Sequence, residues 1–192
     1  MKKNLRIISR LDIKGGNVIK GIQFECLRVM GQPLELANSY YLQGADEIMY
    51  VDTVANLYGR SKIVEIVKQT SAKIHIPLIA AGGVRNLKDI EDLLNAGADK
   101  VAINTAATRD PNLLYEAAKV FGNQCIIVSV DYKVLSKNKW GIFSHSGLDT
   151  NRLELRQYIK DLVNSGAGEI FLTSVKHEGK MEGYDATLVK KI

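Results

Sequence analysis

Asp12 and Asp131 are the two residues from which chemistry is most readily built. Each closes a run of apolar, β-branched residues, Leu5–Asp12 and Ile126–Asp131. Each is followed by a stretch carrying Gly and Lys, 13–31 and 132–148. Two carboxyls whose surroundings differ can serve one substrate as acid and base. Gly82-Gly83 and Asn104-Thr105 follow two more apolar runs. Glycine lets the backbone approach an anion, and amide N–H groups with a hydroxyl then hold it, so these positions suit a phosphate. A tight turn explains Gly-Gly equally well. Thr173-Ser174 closes another such run, and Glu178-Gly179 in the loop beyond can add to the same site. No spacing asks for a metal, and no cofactor is expected.

The elements that must position these residues alternate in type. Strand-like runs at Leu5–Asp12, Glu47–Asp52, Ile76–Ala80, Lys100–Ile103, Ile126–Asp131 and Glu169–Thr173 are separated by segments of helical period. The helical segments are Leu34–Gln43, Ser61–Ser71, Leu87–Ala96, Asn112–Phe121, Asp149–Ser165 and Asp185–Ile192. Asn86 reads as an N-cap and Pro111 as a first helical residue. Such alternation predicts parallel βαβ units with buried strands. Gly44-Ala45-Asp46-Glu47-Ile48 recurs as Gly97-Ala98-Asp99-Lys100-Val101 and as Gly166-Ala167-Gly168-Glu169-Ile170. Each is a helix end running into a strand, with Gly in the C′ place. The repeat of an Asp-ended strand with a long loop, in both halves of the chain, favours a closed (βα)8 TIM barrel over a doubly wound sheet. Barrels of this type run to about 250 residues. A chain of 192 residues is therefore expected to cover about six units of a single, incomplete barrel domain.

In such barrels chemistry sits at the C-terminal strand ends. Asp12, Gly83, Asn104, Thr105, Asp131 and Thr173 then share the active face. Glu47, Lys100 and Glu169 hold the same place in the three repeats, at strand starts, and Arg6 lies on the same side of the pleat as Asp12. Two positive and two negative charges are thus expected to meet at the opposite mouth, as a plug or a gate.

Composition sets the frame. Hydrophobic residues make up 46% and charged residues 24%, as in ordinary globular chains, which excludes disorder. No apolar run reaches the ~18 residues of a membrane helix. No signal peptide is expected, which places the chain in the cytoplasm. Cys26 and Cys125 cannot build a disulfide framework and are expected as reduced, buried thiols. The net charge of +5 is scattered, which disfavours nucleic acid and suits an anionic small substrate.

The sequence resembles the cyclase subunit of imidazole glycerol phosphate synthase. The matching stretches include Arg6-Ile7-Ile8, Leu11-Asp12-Ile13-Lys14, Val18–Gly21, Gly44–Glu47, Gly82-Gly83-Val84-Arg85, Ala96–Ala106, Gly168-Glu169-Ile170 and Gly183-Tyr184-Asp185, spread over the whole chain. The resemblance implies a βα barrel of histidine biosynthesis that takes ammonia from a glutaminase partner in a heterodimer. The ammonia reacts with a phosphoribulosyl-formimino carboxamide ribonucleotide. The products are imidazole glycerol phosphate and aminoimidazole carboxamide ribonucleotide. It carries the acid/base pair to Asp12 and Asp131, phosphate binding to Gly83, Asn104 and Thr105, and a mobile-loop lysine to Lys20. It carries the ammonia gate to Arg6, Glu47, Lys100 and Glu169, and a place at the glutaminase interface to Asp99.

This chain departs from the family pattern in three places, one of them its length of 192 residues, which is expected to leave out strands seven and eight with the second phosphate site. Ser9-Arg10 stands where the family usually has Pro-Cys, and Glu178 precedes Gly179 where Asp is usual. Strand alternation turns Arg10 to the side of Asp12, one layer beneath it, with Asp12 as the nearest acidic candidate by sequence and another interior acid or a substrate phosphate as the alternatives. Two other functions fit the same residues. One is a paralogue that uses ammonia to amidinate a surface-polysaccharide sugar. The other is an inactive barrel fragment acting as a binding or assembly module.

Overall fold

The computed structural model describes residues 5–23, 25–55, 62–136, 139–144, 149–151 and 154–192. Six βα units follow one another among them. The strands are β1 (Ile8–Lys14), β2 (Asn17–Ile22), β3 (Glu25–Gly31), β4 (Glu47–Asp52), β5 (Leu78–Ala81), β6 (Lys100–Ile103), β7 (Ile126–Ser136), β8 (Lys139–Ser144), β9 (Asp149–Asn151) and β10 (Glu169–Ser174). The helices are α1 (Pro33–Leu42), α2 (Ile63–Ser71), α3 (Leu87–Asn95), α4 (Thr105–Arg109), α5 (Pro111–Phe121), α6 (Leu155–Asn164) and α7 (Ala186–Val189). The chain divides into two compact units, Met1–Ile19 with Val29–Ala102, and Lys20–Arg28 with Ile103–Ile192.

In the first unit β1, β4, β5 and β6 pair in parallel. One face of this sheet carries Leu11, Tyr50, Ala80 and Val101, all buried among apolar neighbours. The other face carries two rows in register. Arg10, Met49, Ile79 and Lys100 form one, and Asp12, Val51, Ala81 and Ala102 form the next toward the C-terminal ends. Residues of one row point the same way, because side chains alternate along each strand. In the second unit Ile126–Asp131 of β7 pairs in parallel with β10, placing Ile127 beside Glu169 and Asp131 beside Thr173. The rest of β7 turns back in an antiparallel ribbon with β8, to which β9 adds.

The three repeats prove to be one device. At Gly97 the chain leaves α3 through a Schellman turn. Ala98 N–H donates to Leu93 O at 3.1 Å, and Gly97 N–H to Leu94 O at 3.0 Å. The same two bonds form at Ala45 and Gly44 after α1, and at Ala167 and Gly166 after α6. The next residue then docks on the start of a neighbouring strand. Asp46 N–H reaches Ile7 O, Asp99 N–H reaches Leu78 O, and Gly168 N–H reaches Ile126 O. The Asp of the first two repeats also uses its side chain there, accepting Ile7 N–H at 2.6 Å and Leu78 N–H at 2.8 Å. The third repeat has Gly because any Cβ at 168 would lie 2.1 Å from Asn123 O.

The stretches 13–31 and 132–148, expected as loops, each contain antiparallel hairpin strands, β2–β3 and β8. Strand-forming residues inside them, such as Val18-Ile19 and Trp140-Gly-Ile-Phe143, have partners within reach, which a search for parallel units overlooks. The helix expected from Asp149 starts at Leu155, capped by Glu154, whose carboxylate accepts Arg156 N–H and Gln157 N–H. Asn86 caps α3 as expected, accepting Asp89 N–H at 3.0 Å. Both cysteines are free thiols but neither is buried: Cys125 is half-buried, and Cys26 is exposed on β3, because that strand is exposed over nearly its whole length.

Candidate active site

Within the first unit, Asp12 sits near the C-terminal end of β1 and is buried, with 7% of its surface exposed. Burying a carboxylate without partners is costly. One partner is Arg10 on the same strand, whose Nε donates to Asp12 Oδ1 at 2.7 Å. The expected orientation of Arg10 toward Asp12 is what the geometry shows. At the end of β4, Asp52 Oδ1 accepts Val54 and Ala55 N–H, turning the chain out of the strand. Gly82 packs against this turn so closely that a Cβ would lie 2.4 Å from Asp52 O. Gly82 therefore has a structural reason, and Gly83 beside it lines a cavity with Ala55, Val84 and Arg85.

Toward the opposite end of the same face, Glu47 is buried and receives two cations. Arg6 Nη1 donates to Glu47 Oε1, and Lys100 Nζ lies 3.1 Å from both carboxylate oxygens. Three of the four charges expected to meet do so inside this unit. Glu169, the fourth, starts β10 in the second unit, on the same face of its strand pair as Asp131 and Thr173.

Within the second unit, Asp131 is buried beside Thr173 at the end of the parallel pairing. Asn104 Nδ2 donates to Asp131 Oδ2 at 2.9 Å. Sequence reading gave Asn104 a phosphate; the structure sets it against the carboxylate. Thr105 follows, and its hydroxyl oxygen is buried with no hydrogen-bond partner among the described residues. A buried polar atom left unpaired costs free energy that an incoming ligand atom can recover.

The hairpin tip, Lys20–Arg28, belongs to this second unit and docks on the loop after β10. Lys20 Nζ pairs with Glu178, whose side chain is buried. Gln23 N–H donates to Glu178 O at 3.0 Å, and Gln23 Nε2 donates to Lys176 O at 2.8 Å. Gly179 meets Gly21 backbone to backbone; a Cβ at 179 would lie 2.2 Å from Gly21 O. Lys20, Glu178 and Gly179 were each expected at a substrate site, but their mutual contact carries no sequence signal. Two further groups were missed. Ser174 Oγ lies 2.8 Å from His177 Nδ1, and Ser174 also bonds the Tyr132 hydroxyl, whose pKa burial pushes up. They lie on the face of β7 and β10 opposite Asp131, and a lone Ser-x-x-His in a loop announces nothing.

Among the described residues no helix is long and apolar enough to cross a membrane, and no group of three or more His, Cys, Asp or Glu is placed to hold a metal ion.

Parallel βα units carrying buried carboxylates near their C-terminal strand ends define an α/β barrel enzyme of the TIM type. A family model described as "Histidine biosynthesis protein" matches residues 6–192, and the chain belongs to that family. The imidazole glycerol phosphate synthase subunit HisF of Legionella pneumophila is 47% identical over 98% of this chain and 89% of its own length. HisF of Bacillus cereus strain G9842 is 43% identical over 97% of this chain and 74% of its own length. HisF of Bacillus cereus strain ATCC 10987 is 43% identical over the same shares.

Proposed function

We propose that the chain is the cyclase subunit of histidine biosynthesis, a lyase. With ammonia it converts the phosphoribulosyl-formimino carboxamide ribonucleotide to imidazole glycerol phosphate and aminoimidazole carboxamide ribonucleotide. Closing an imidazole ring around ammonia requires protons to be moved to the departing water and the leaving amine, and taken from the incoming nitrogen. Asp12 and Asp131 are the groups that move them. The observation that carries this reading is their equivalent setting. Each is a buried carboxylate near the end of a parallel strand, and each has one oxygen held by a side-chain nitrogen, of Arg10 or of Asn104.

The substrate's phosphates are bound by Gly83, Thr105 and Thr173, with the buried hydroxyl of Thr105 as a ready donor. Lys20, held with Glu178 and Gly179, covers the substrate from the hairpin. Asn104 orients Asp131. A glutaminase subunit supplies the ammonia, with Arg6, Glu47, Lys100 and Glu169 as its gate and Asp99 at the interface. That the relatives are named as subunits supports an assembly of this kind.

The test is turnover with ammonium salt and the ribulosyl-formimino substrate, following the imidazole product. Asp12→Asn and Asp131→Asn should each fold normally and lose about 10²–10⁴-fold in kcat. Either variant keeping near-full activity would remove that residue from the mechanism. Absence of product from the unsubstituted protein would reject the cyclase itself.

A further inference from the structure

Arg10 is a cation held mostly out of water on the face of β1 that carries Asp12. It shares its row with Met49, Ile79 and Lys100, none of which carries a carboxylate, and its side chain is four-fifths buried. Two residues along a strand the chain has risen about 6.6 Å, and side chains at i and i+2 share a face. An arginine spans that distance easily, and Arg10 Nε meets Asp12 Oδ1 at 2.7 Å. The terminal torsion of an aspartate is broad, so an unheld carboxylate swings about its Cβ–Cγ bond. A planar guanidinium donating along a short, charge-assisted bond removes that freedom.

We propose that Arg10 is a positioning residue for Asp12, fixing the plane of its carboxylate so that proton transfer meets the substrate in one orientation. The inference rests on Asp12 being an acid–base group of the reaction. Arg10 acts through Asp12 and has no chemistry of its own in this role. Asn104 does the corresponding work at Asp131 with a neutral amide. The two carboxylates are therefore set by donors of different charge. Lysine at position 10 would supply the charge but not the plane.

The experiment uses the full chain, alone and with ammonium salt as nitrogen source. Arg10→Ala should lower kcat about 10²-fold, the usual cost of a misplaced reacting group, with KM for the ribulosyl-formimino substrate nearly unchanged. Arg10→Lys should recover part of the loss. Millimolar guanidinium should raise turnover of Arg10→Ala and leave the unsubstituted protein unaffected. A merely structural arginine would lower the melting temperature without guanidinium rescue of kcat. Near-normal kcat in Arg10→Ala, or a loss confined to KM, would overturn the proposal.

A second readout does not need turnover. With ¹³C-labelled aspartate, the Asp12 carboxyl resonance, assigned by its absence in Asp12→Asn, should move or broaden in Arg10→Ala and return with guanidinium. A resonance identical in both proteins would overturn the proposal. If it moves while the unsubstituted protein makes no imidazole product, positioning stands and the cyclase reading falls.

Discussion

Asp99 and Leu78 are joined by a two-way clamp. Asp99 N–H donates to Leu78 O at 2.8 Å, and Asp99 Oδ2 accepts Leu78 N–H at 2.8 Å. The clamp fixes where β5 begins against the start of β6, and Asp46 does the same for Ile7 beside β4. Leu78 is buried, so its N–H would be left without an acceptor if the carboxylate were removed. Asp99→Ala should destabilise the protein by about 1–2 kcal/mol, whereas Asp99→Asn keeps an acceptor oxygen and should stay close to the unsubstituted protein. Urea unfolding checks this. The place proposed for Asp99 at a glutaminase interface is tested by the same pair. A charge-dependent interface is weakened by Asn without loss of stability.

Lys100→Met addresses the gate. Glu47 is buried and shares its carboxylate between Lys100 and Arg6, so removing Lys100 leaves a charge only partly compensated. Breaking one side of a buried pair commonly costs about 3–5 kcal/mol. The half-exposed Arg6 should hold the loss below that range. Turnover driven by glutamine and the partner subunit should change markedly, and turnover with ammonium salt much less. Equal loss in both assays would make the cluster structural only.

Tyr50 gives a prediction for alkaline pH. Its hydroxyl is buried, donates to Pro33 O at 3.1 Å and lies 2.9 Å from Thr70 Oγ1. Burial pushes its pKa from 10.0 up to about 12, against a smaller opposing pull from Thr70. Above about pH 10 the unfolded tyrosine has lost its proton while the folded one keeps it, so the folded state binds more protons and stability falls as pH rises toward 12. The slope approaches about 1.4 kcal/mol per pH unit for one group. Tyr50→Phe should be less stable at neutral pH by about 1 kcal/mol, having lost the bonds of its hydroxyl to Pro33 O and Thr70 Oγ1. Its decline above pH 10 should be shallower. Parallel declines in urea midpoints would show that Tyr50 ionises alike in both states. Tyr158, also raised by burial, keeps the variant's curve from being flat.

The βα order, the cap at Asn86 and the three Gly-led junctions were legible because each is a local pattern with one physical cause. A helix that stops needs a C′ residue tolerant of positive φ, and a parallel strand buried on both faces needs an apolar run. That Arg10 faces the side of Asp12 was legible too, since alternation along one strand decides it, but its choice of Asp12 over another acid was not. The contact of Asn104 with Asp131 was not, because it joins residues 27 apart in the chain, which no local pattern pairs. Hairpins β2–β3 and β8–β9 were missed for a related reason. Their pairing energy comes from a partner strand and leaves only a weak period in either strand alone.

The docking of the hairpin tip on the β10 loop should be separable from folding. Lys20 with Glu178, two bonds from Gln23, and the close approach of Gly21 to Gly179 help to hold it. Alanine at 179 would need φ near +73 and a Cβ 2.2 Å from Gly21 O, so the tip must move away. Glu178→Gln keeps the shape of the side chain and removes only the charge opposite Lys20. Gly179→Ala should therefore expose the tip more than Glu178→Gln does. Trypsin cleavage after Lys20 and Arg28 reports the exposure. A docking energy of about 1.4 kcal/mol corresponds to about tenfold faster cleavage when docking governs access. Because Lys20 is proposed to meet the substrate, kcat/KM with ammonium salt should fall in step with the cleavage rate. Faster cleavage with unchanged kcat/KM would remove Lys20 from the substrate site and leave the docked hairpin as a structural feature.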